Sequence, residues 1–177
     1  MKANFNEIFE GQAFVLGNNV ANDGDLMALS FALARETDPD VLKAHIFAGI
    51  DRSLALRIKP NDIVIAGKRF GHGNPHIQGF LGLRGAGIGL LTESIPSSSY
   101  RLAINAGVPI LPSCPNICSL AQTGDHLRVD FNTGEIKNLT TGAKARHAPP
   151  PAHVQKIIAS GGWHQMFRIR LEASGLG

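Results

Sequence analysis

The residues with the most chemical promise in this chain stand together: Gly71-His72-Gly73-Asn74-Pro75-His76. They follow Ile63-Val64-Ile65-Ala66, a short β-branched run of the kind buried on both faces in a parallel sheet. They precede an apolar stretch to about Arg84, and Asn74-Pro75 offers a favoured N-cap followed by a favoured first helical residue. This order predicts a ligand site at the carboxyl end of a strand and the start of a helix, where open α/β sheets bind small molecules. Free backbone N–H groups at a helix start suit a carboxylate or a phosphate. Gly71 and Gly73 let the backbone come close to a ligand. Histidine titrates near neutrality, which makes His72 and His76 candidates for proton transfer. A bare Gly-x-Gly also fits a tight turn ahead of a capped helix with two solvent-facing histidines. A dinucleotide fingerprint is excluded, because its third glycine would fall on His76. A Walker-type phosphate loop is excluded too, since no Gly-Lys-Ser/Thr occurs.

A second candidate is the polar loop from Asn18 to Asp25, rich in Asn, Asp and Gly. The other groups point to no chemistry. The only two cysteines, Cys114 and Cys118, cannot build an iron–sulfur cluster or a four-cysteine zinc site by themselves, and they read as packed thiols near a strand end. The seven histidines are scattered with no His-Glu-x-x-His, so no metal site is expected in this chain. Ser97-Ser98-Ser99 reads as helix capping, and no Gly-x-Ser-x-Gly elbow suggests a hydrolase.

These residues need a scaffold, and 177 residues with 44% hydrophobic content are enough for one domain with a real core. The expectation is a single unit over 1–177, with its core at about 12–163 and a tail over 164–177. Net charge is only +3 and no Lys/Arg run occurs, which speaks against a nucleic-acid partner. No apolar stretch is long enough to span a bilayer, and Met1 to Glu7 lacks the apolar segment of a secretion signal. A cytoplasmic protein is expected.

Apolar patterning supplies the elements. Residues 12–16 read as a first strand, and 26–34 as helix or strand. Thr37-Asp38-Pro39 opens a helix that Gly49 ends. The runs at 63–66 and 88–91, with the helix from Asn74 between them, form a βαβ unit and should be parallel neighbours. A helix from Ser97 to Asn105 is stopped by Gly107, and a strand follows at 108–111. Leu127, Val129 and Phe131 alternate with polar residues and return through Ile136 and Leu139 as a hairpin. Residues 142–151 read as a stiff loop, Pro151 to Ser160 as the last helix, and the segment from Arg168 as surface.

The order of segments resembles the small subunit of 3-isopropylmalate dehydratase, the swivelling domain of the aconitase superfamily. The resemblance covers roughly Phe14 to Trp163. It rests on Thr37-Asp38-Pro39, on His45 to Asp51, on Lys59 to Gly71, on Tyr100 to Gly107, and on Gly124-Asp125 through Asn138 to Gly142. It implies an α/β swivelling fold of three β/β/α layers, of the aconitase C-terminal type. It also implies a large partner subunit that carries a [4Fe–4S] cluster, whose open iron acts as Lewis acid on a small hydroxy-carboxylate substrate. In the family, Gly-x-Gly is followed by Ser-Ser-Arg-Glu-His, where a serine removes the α-proton and the arginine holds a carboxylate.

This chain keeps the glycines as Gly71 and Gly73 and departs from the rest. Asn74 and Pro75 stand at the serine positions, His76 at the arginine position, and Ile77 and Gln78 follow. The loop that reads Asp-Asn-Ile-Asp-Thr-Asp in relatives is Asn18-Asn19-Val20-Ala21-Asn22-Asp23, and Phe-Ala-Arg is replaced by Ile95-Pro96-Ser97. Arg101 matches the family, and Arg35 is placed to take a carboxylate in place of a lost arginine. The candidate set is therefore His72, Asn74 and His76 for the chemistry, with Arg35, Gly71, Gly73 and Arg101 for the substrate. The expected function is the small subunit of a hydro-lyase acting on a 2-hydroxy di- or tricarboxylic acid. The alternative is a non-catalytic swivel module that binds a partner or a small carboxylate.

Overall fold

Ile63-Val64-Ile65-Ala66 is buried at every position, as a two-faced strand must be. Its surroundings follow from a computed structural model that describes residues 8–175. In chain order the elements are β1 (Ile8–Val15), α1 (Leu29–Leu33), α2 (Pro39–Leu42), α3 (Leu54–Arg57), β2 (Ile63–Ala66), α4 (Gln78–Ala86), β3 (Gly89–Thr92), α5 (Ser97–Ala106), β4 (Ile110–Leu111), β5 (His126–Asp130), β6 (Glu135–Asn138), β7 (Lys144–Arg146), α6 (Ala152–Ala159) and α7 (Trp163–Ala173).

One sheet carries all seven strands in the order β4-β3-β2-β1-β5-β6-β7. The half from β4 to β1 is parallel, and β5, β6 and β7 continue antiparallel. The predicted βαβ unit is present, with Ile63 opposite Gly89 and Ile65 opposite Leu91. Alternate residues of each strand face opposite sides of a sheet. Phe14, Val64, Leu90 and Ile110 therefore pack with Phe80, Leu83 and Ile104 of the helices. Ile63, Ile65, Leu91 and Leu111 pack instead with Leu127, Val129 and Ile136. The antiparallel half curls over the open face of the parallel half, and the result is the expected stack of β, β and α layers.

Several boundaries differ from the sequence expectation. The first strand begins at Ile8, because its early residues pair with β5 across from Asp130. The helix at Pro39 is capped by the Asp38 carboxylate, which accepts from the Asp40 amide, but it gives way to a tighter turn at Lys43 rather than running to Gly49. Phe47 takes a positive φ of 60° and sends the chain out of helical geometry. Asn74 and Pro75 do not open a helix: α4 starts at Gln78, and both residues lie exposed in the loop before it. The backbone at 71–72 is drawn into pairing with the loop after β1, so the chain is still in a bent loop where the sequence predicts a helix. Ser97, Ser98 and Ser99 cap nothing, since Pro96 holds the N-cap position of α5. The stiff loop at 142–151 contains β7, a three-residue edge strand too short to show a period. Pro151 to Ser160 is not the last helix, for α7 follows Gly161-Gly162 and carries the segment from Arg168. No helix among the described residues is long and apolar enough to cross a membrane.

Candidate active site

The loops after β1, β2 and β3 meet at the carboxyl edge of the parallel strands, and the backbone stitches them together. Gly67 donates to the Gly17 carbonyl at 3.2 Å, Asn19 to Lys68 at 2.8 Å, and Gly71 to Val20 at 2.7 Å. Asn22 donates to the His72 carbonyl at 2.8 Å, and Ala21 and His72 form an isolated parallel bridge. The Asn18 side chain accepts from the Lys68 amide at 2.7 Å. From the third loop, Ser94 accepts from the amides of Arg69 and Phe70. The two loops the sequence singles out, 18–25 and 71–76, are thus one structural unit.

Two side chains close it. His76 Nδ1 lies 2.7 Å from Asp23 Oδ1, and the two side chains are 36% and 25% exposed, held but reachable. His72 Nε2 lies 3.0 Å from the Asn19 carbonyl oxygen and bonds its ring across the loops. Gly71 sits at φ +71° against Ser99, whose hydroxyl donates to the Gly71 carbonyl at 2.5 Å. Gly73 takes φ +94° with open space around it, and no backbone carbonyl among the described residues accepts from the amides of Gly73 or Asn74. Asn22 is almost fully buried, and neither atom of its amide group has a partner. Leaving such a group unpaired costs about 1–3 kcal/mol. The fold carries that cost in the same loop that places Asp23.

The sequence-predicted residues are therefore only partly brought together. Gly71, His72, Gly73, Asn74 and His76 share one loop, now packed on the second candidate loop. Arg35 is exposed just past the end of α1, in a left-handed conformation at φ +54°. Arg101 is exposed on α5 two residues beyond the buried Ser99, so it leaves the opposite side of the helix from Gly71. Nothing in the sequence marks Asp23, Asn22 or Ser99 individually. The only sequence signal for Asp23 was its place in the polar loop, and nothing in the sequence pairs Ser99 with Gly71. Replacing Ser99 with alanine strips a buried carbonyl of its partner, with an expected loss of about 1–3 kcal/mol in denaturant unfolding.

No protein-family model matches the chain. Curated relatives do. The isopropylmalate/citramalate isomerase small subunit of Methanocaldococcus jannaschii is 38% identical over 168 residues, covering 94% of this chain and 98% of that protein. The chain belongs to the family of 3-isopropylmalate dehydratase small subunits. Another member, from Thermodesulfovibrio yellowstonii, is 31% identical over 163 residues, covering 92% of this chain and 95% of its own. The crystal structure of a 3-isopropylmalate dehydratase from Methanocaldococcus jannaschii superposes with a TM-score of 0.81 at 27% identity, covering 96% of this chain and 99% of that one.

The small-subunit family implies an iron–sulfur cluster, and this chain's own residues do not fit one. Such clusters are held by several thiolates. Cys114 is fully buried, its sulfur 3.5 Å from the Leu111 carbonyl, and burial pushes its thiol up to about 12. Burial, and next Glu93, raise the Cys118 thiol too. Among the described residues no group of three or more His, Cys, Asp or Glu side chains is placed to hold a metal.

Proposed function

We propose that this chain is the small subunit of a cytoplasmic two-subunit hydro-lyase acting on a 2-hydroxy di- or tricarboxylic acid of the isopropylmalate or citramalate kind. The single observation that carries the reading is the stitched loop edge. It presents two histidines and open backbone amides at the carboxyl end of the sheet, in a chain whose relatives are named small subunits. A large subunit is its partner, and that subunit carries the [4Fe–4S] cluster. When bound there, the cluster supplies a Lewis acid for the substrate hydroxyl.

This chain contributes binding, orientation and proton handling. The Gly73 and Asn74 amides, on the turn that Gly71 sets with its positive φ, receive a substrate carboxylate. Arg35, exposed past the end of α1, supplies a guanidinium for a second carboxylate. His72 and His76 provide the ring nitrogens for proton transfer. The test is reconstitution with the large subunit under anaerobic conditions, following the unsaturated product by its ultraviolet absorbance. Turnover is expected only from the combined chains, with each alone inactive. A combined pair that fails on isopropylmalate, citramalate and other 2-hydroxy di- and tricarboxylates overturns the proposal.

A further inference from the structure

We infer that Asp23 and His76 form a carboxylate–imidazole dyad, in which His76 Nε2 is the atom that takes and returns the substrate's carbon-bound proton and Asp23 positions it. The inference rests on the small-subunit reading and assigns the proton chemistry of that same site.

The geometry leads to it in three steps. An ionised carboxylate only accepts hydrogen bonds, so the 2.7 Å contact puts the proton of neutral His76 on Nδ1. That leaves the lone pair on Nε2, on the side of the ring away from Asp23. The carboxylate also stabilises the imidazolium that forms when Nε2 accepts a proton, the role an orienting aspartate plays in a catalytic triad. His72 has no such support, since its ring contact is with the neutral Asn19 carbonyl.

Both partners are held before any substrate arrives. Asp23 lies between two bridges, Ala21 with His72 on one side and its own pairing with Met27 on the other. His76 is held by its 2.7 Å contact with Asp23, four residues past the bridge at His72. A preset pair of this kind loses little entropy when it acts. The site also needs a base from somewhere: Asn74 and Pro75 offer none.

The step balances without an oxidant. Nε2 takes the proton from carbon, the C–H electron pair becomes the second bond of the alkene, and hydroxide leaves the neighbouring carbon. In hydration the same proton returns from Nε2 to carbon as hydroxide adds.

The experiment uses the combined subunits with His76→Gln, Asp23→Asn and Asp23→Glu. Gln keeps a hydrogen-bonding amide toward Asp23 and cannot transfer a proton. Folding and subunit association are checked by circular dichroism and co-purification. His76→Gln is expected to lower kcat by about 10²–10⁴-fold. Asp23→Asn should lower kcat at least tenfold with KM nearly unchanged, and Asp23→Glu should recover part of the loss. A wild-type pair with no turnover overturns the small-subunit reading and the dyad together. A working wild type with an active His76→Gln variant overturns the dyad alone. So does an Asp23→Glu variant no better than Asp23→Asn.

Discussion

Phe70→Ala is expected to lower the stability of the fold by about 3–5 kcal/mol, the range for deleting a buried phenylalanine. Phe70 has no exposed surface. Its ring meets Phe80 of α4 edge-to-face, with centroids 6.4 Å apart and planes at 79°. Such a pair adds roughly 0.5–1.5 kcal/mol beyond the area it buries. The neighbours cannot collapse into the gap easily, because the Phe70 amide is tied to the Ser94 carbonyl and the next residue, Gly71, is tied to Val20. In a chain of this size the loss corresponds to a fall in Tm of roughly 6–20 °C. Thermal and denaturant unfolding of the variant will measure it. The residue is one position from the site loop, so activity should fall in step with the folded fraction. A stability loss under about 1 kcal/mol would mean that the loop is not anchored through this ring.

Gly49→Ala should damage the site from a distance. A β-carbon at position 49 would press into the Gly24 carbonyl group, 2.6 Å from its carbon, and would lie 2.9 Å from the Asp25 α-carbon. These are backbone atoms, so no side-chain rotation relieves the clash. The segment at 24–25 or the one at 48–50 must shift, at a cost of about 1–3 kcal/mol for overpacking. Gly24 is bonded to Met27, and Leu26 accepts from Phe47, so the displacement runs along the loop that holds Asp23. A misplacement of about 1 Å at a catalytic group can cost about 10²-fold in rate. The combined enzyme should therefore lose at least tenfold in kcat, beyond what the stability loss explains. Kinetics at a temperature where the variant is fully folded will separate the two effects.

The layered fold was legible where the chain commits both faces of a strand to burial. Ile63 to Ala66 and Leu90-Leu91 announce parallel strands because no polar residue interrupts them. The hairpin of β5 and β6 was legible for the opposite reason, through the alternation of Leu127 and Val129 with polar neighbours. Two of the features that escaped are set by pairing rather than by local preference. β7 exists because Lys144 to Arg146 find β6 beside them, and the start of α4 moved because His72 is engaged with Ala21. The same distinction governs the site. Gly71 to His76 stood out as a local cluster, whereas the Asp23–His76 contact joins residues 53 positions apart. No spacing rule reaches that far, and the contact appears only when β1 and β2 are set side by side. Arg101 shows the converse: its type and position suggested a site residue, and the turn of the helix sends it away from Gly71.

β1 joins both halves of the sheet, pairing with β2 on one side and with β5 on the other, where Ile8 meets Asp130 and Gln12 meets His126. During synthesis the first strand is made long before its second neighbour. Until residues 126–130 leave the ribosome, β1 has an open edge, and Phe9 and Ala13 lack the β5 and hairpin residues that cover them. An unpaired edge with apolar side chains invites pairing with other chains. Pairings this distant in sequence also form slowly. A nascent or truncated chain ending near residue 120 thus keeps that edge of β1 unpaired. Release of the hairpin is the event that ends that exposure.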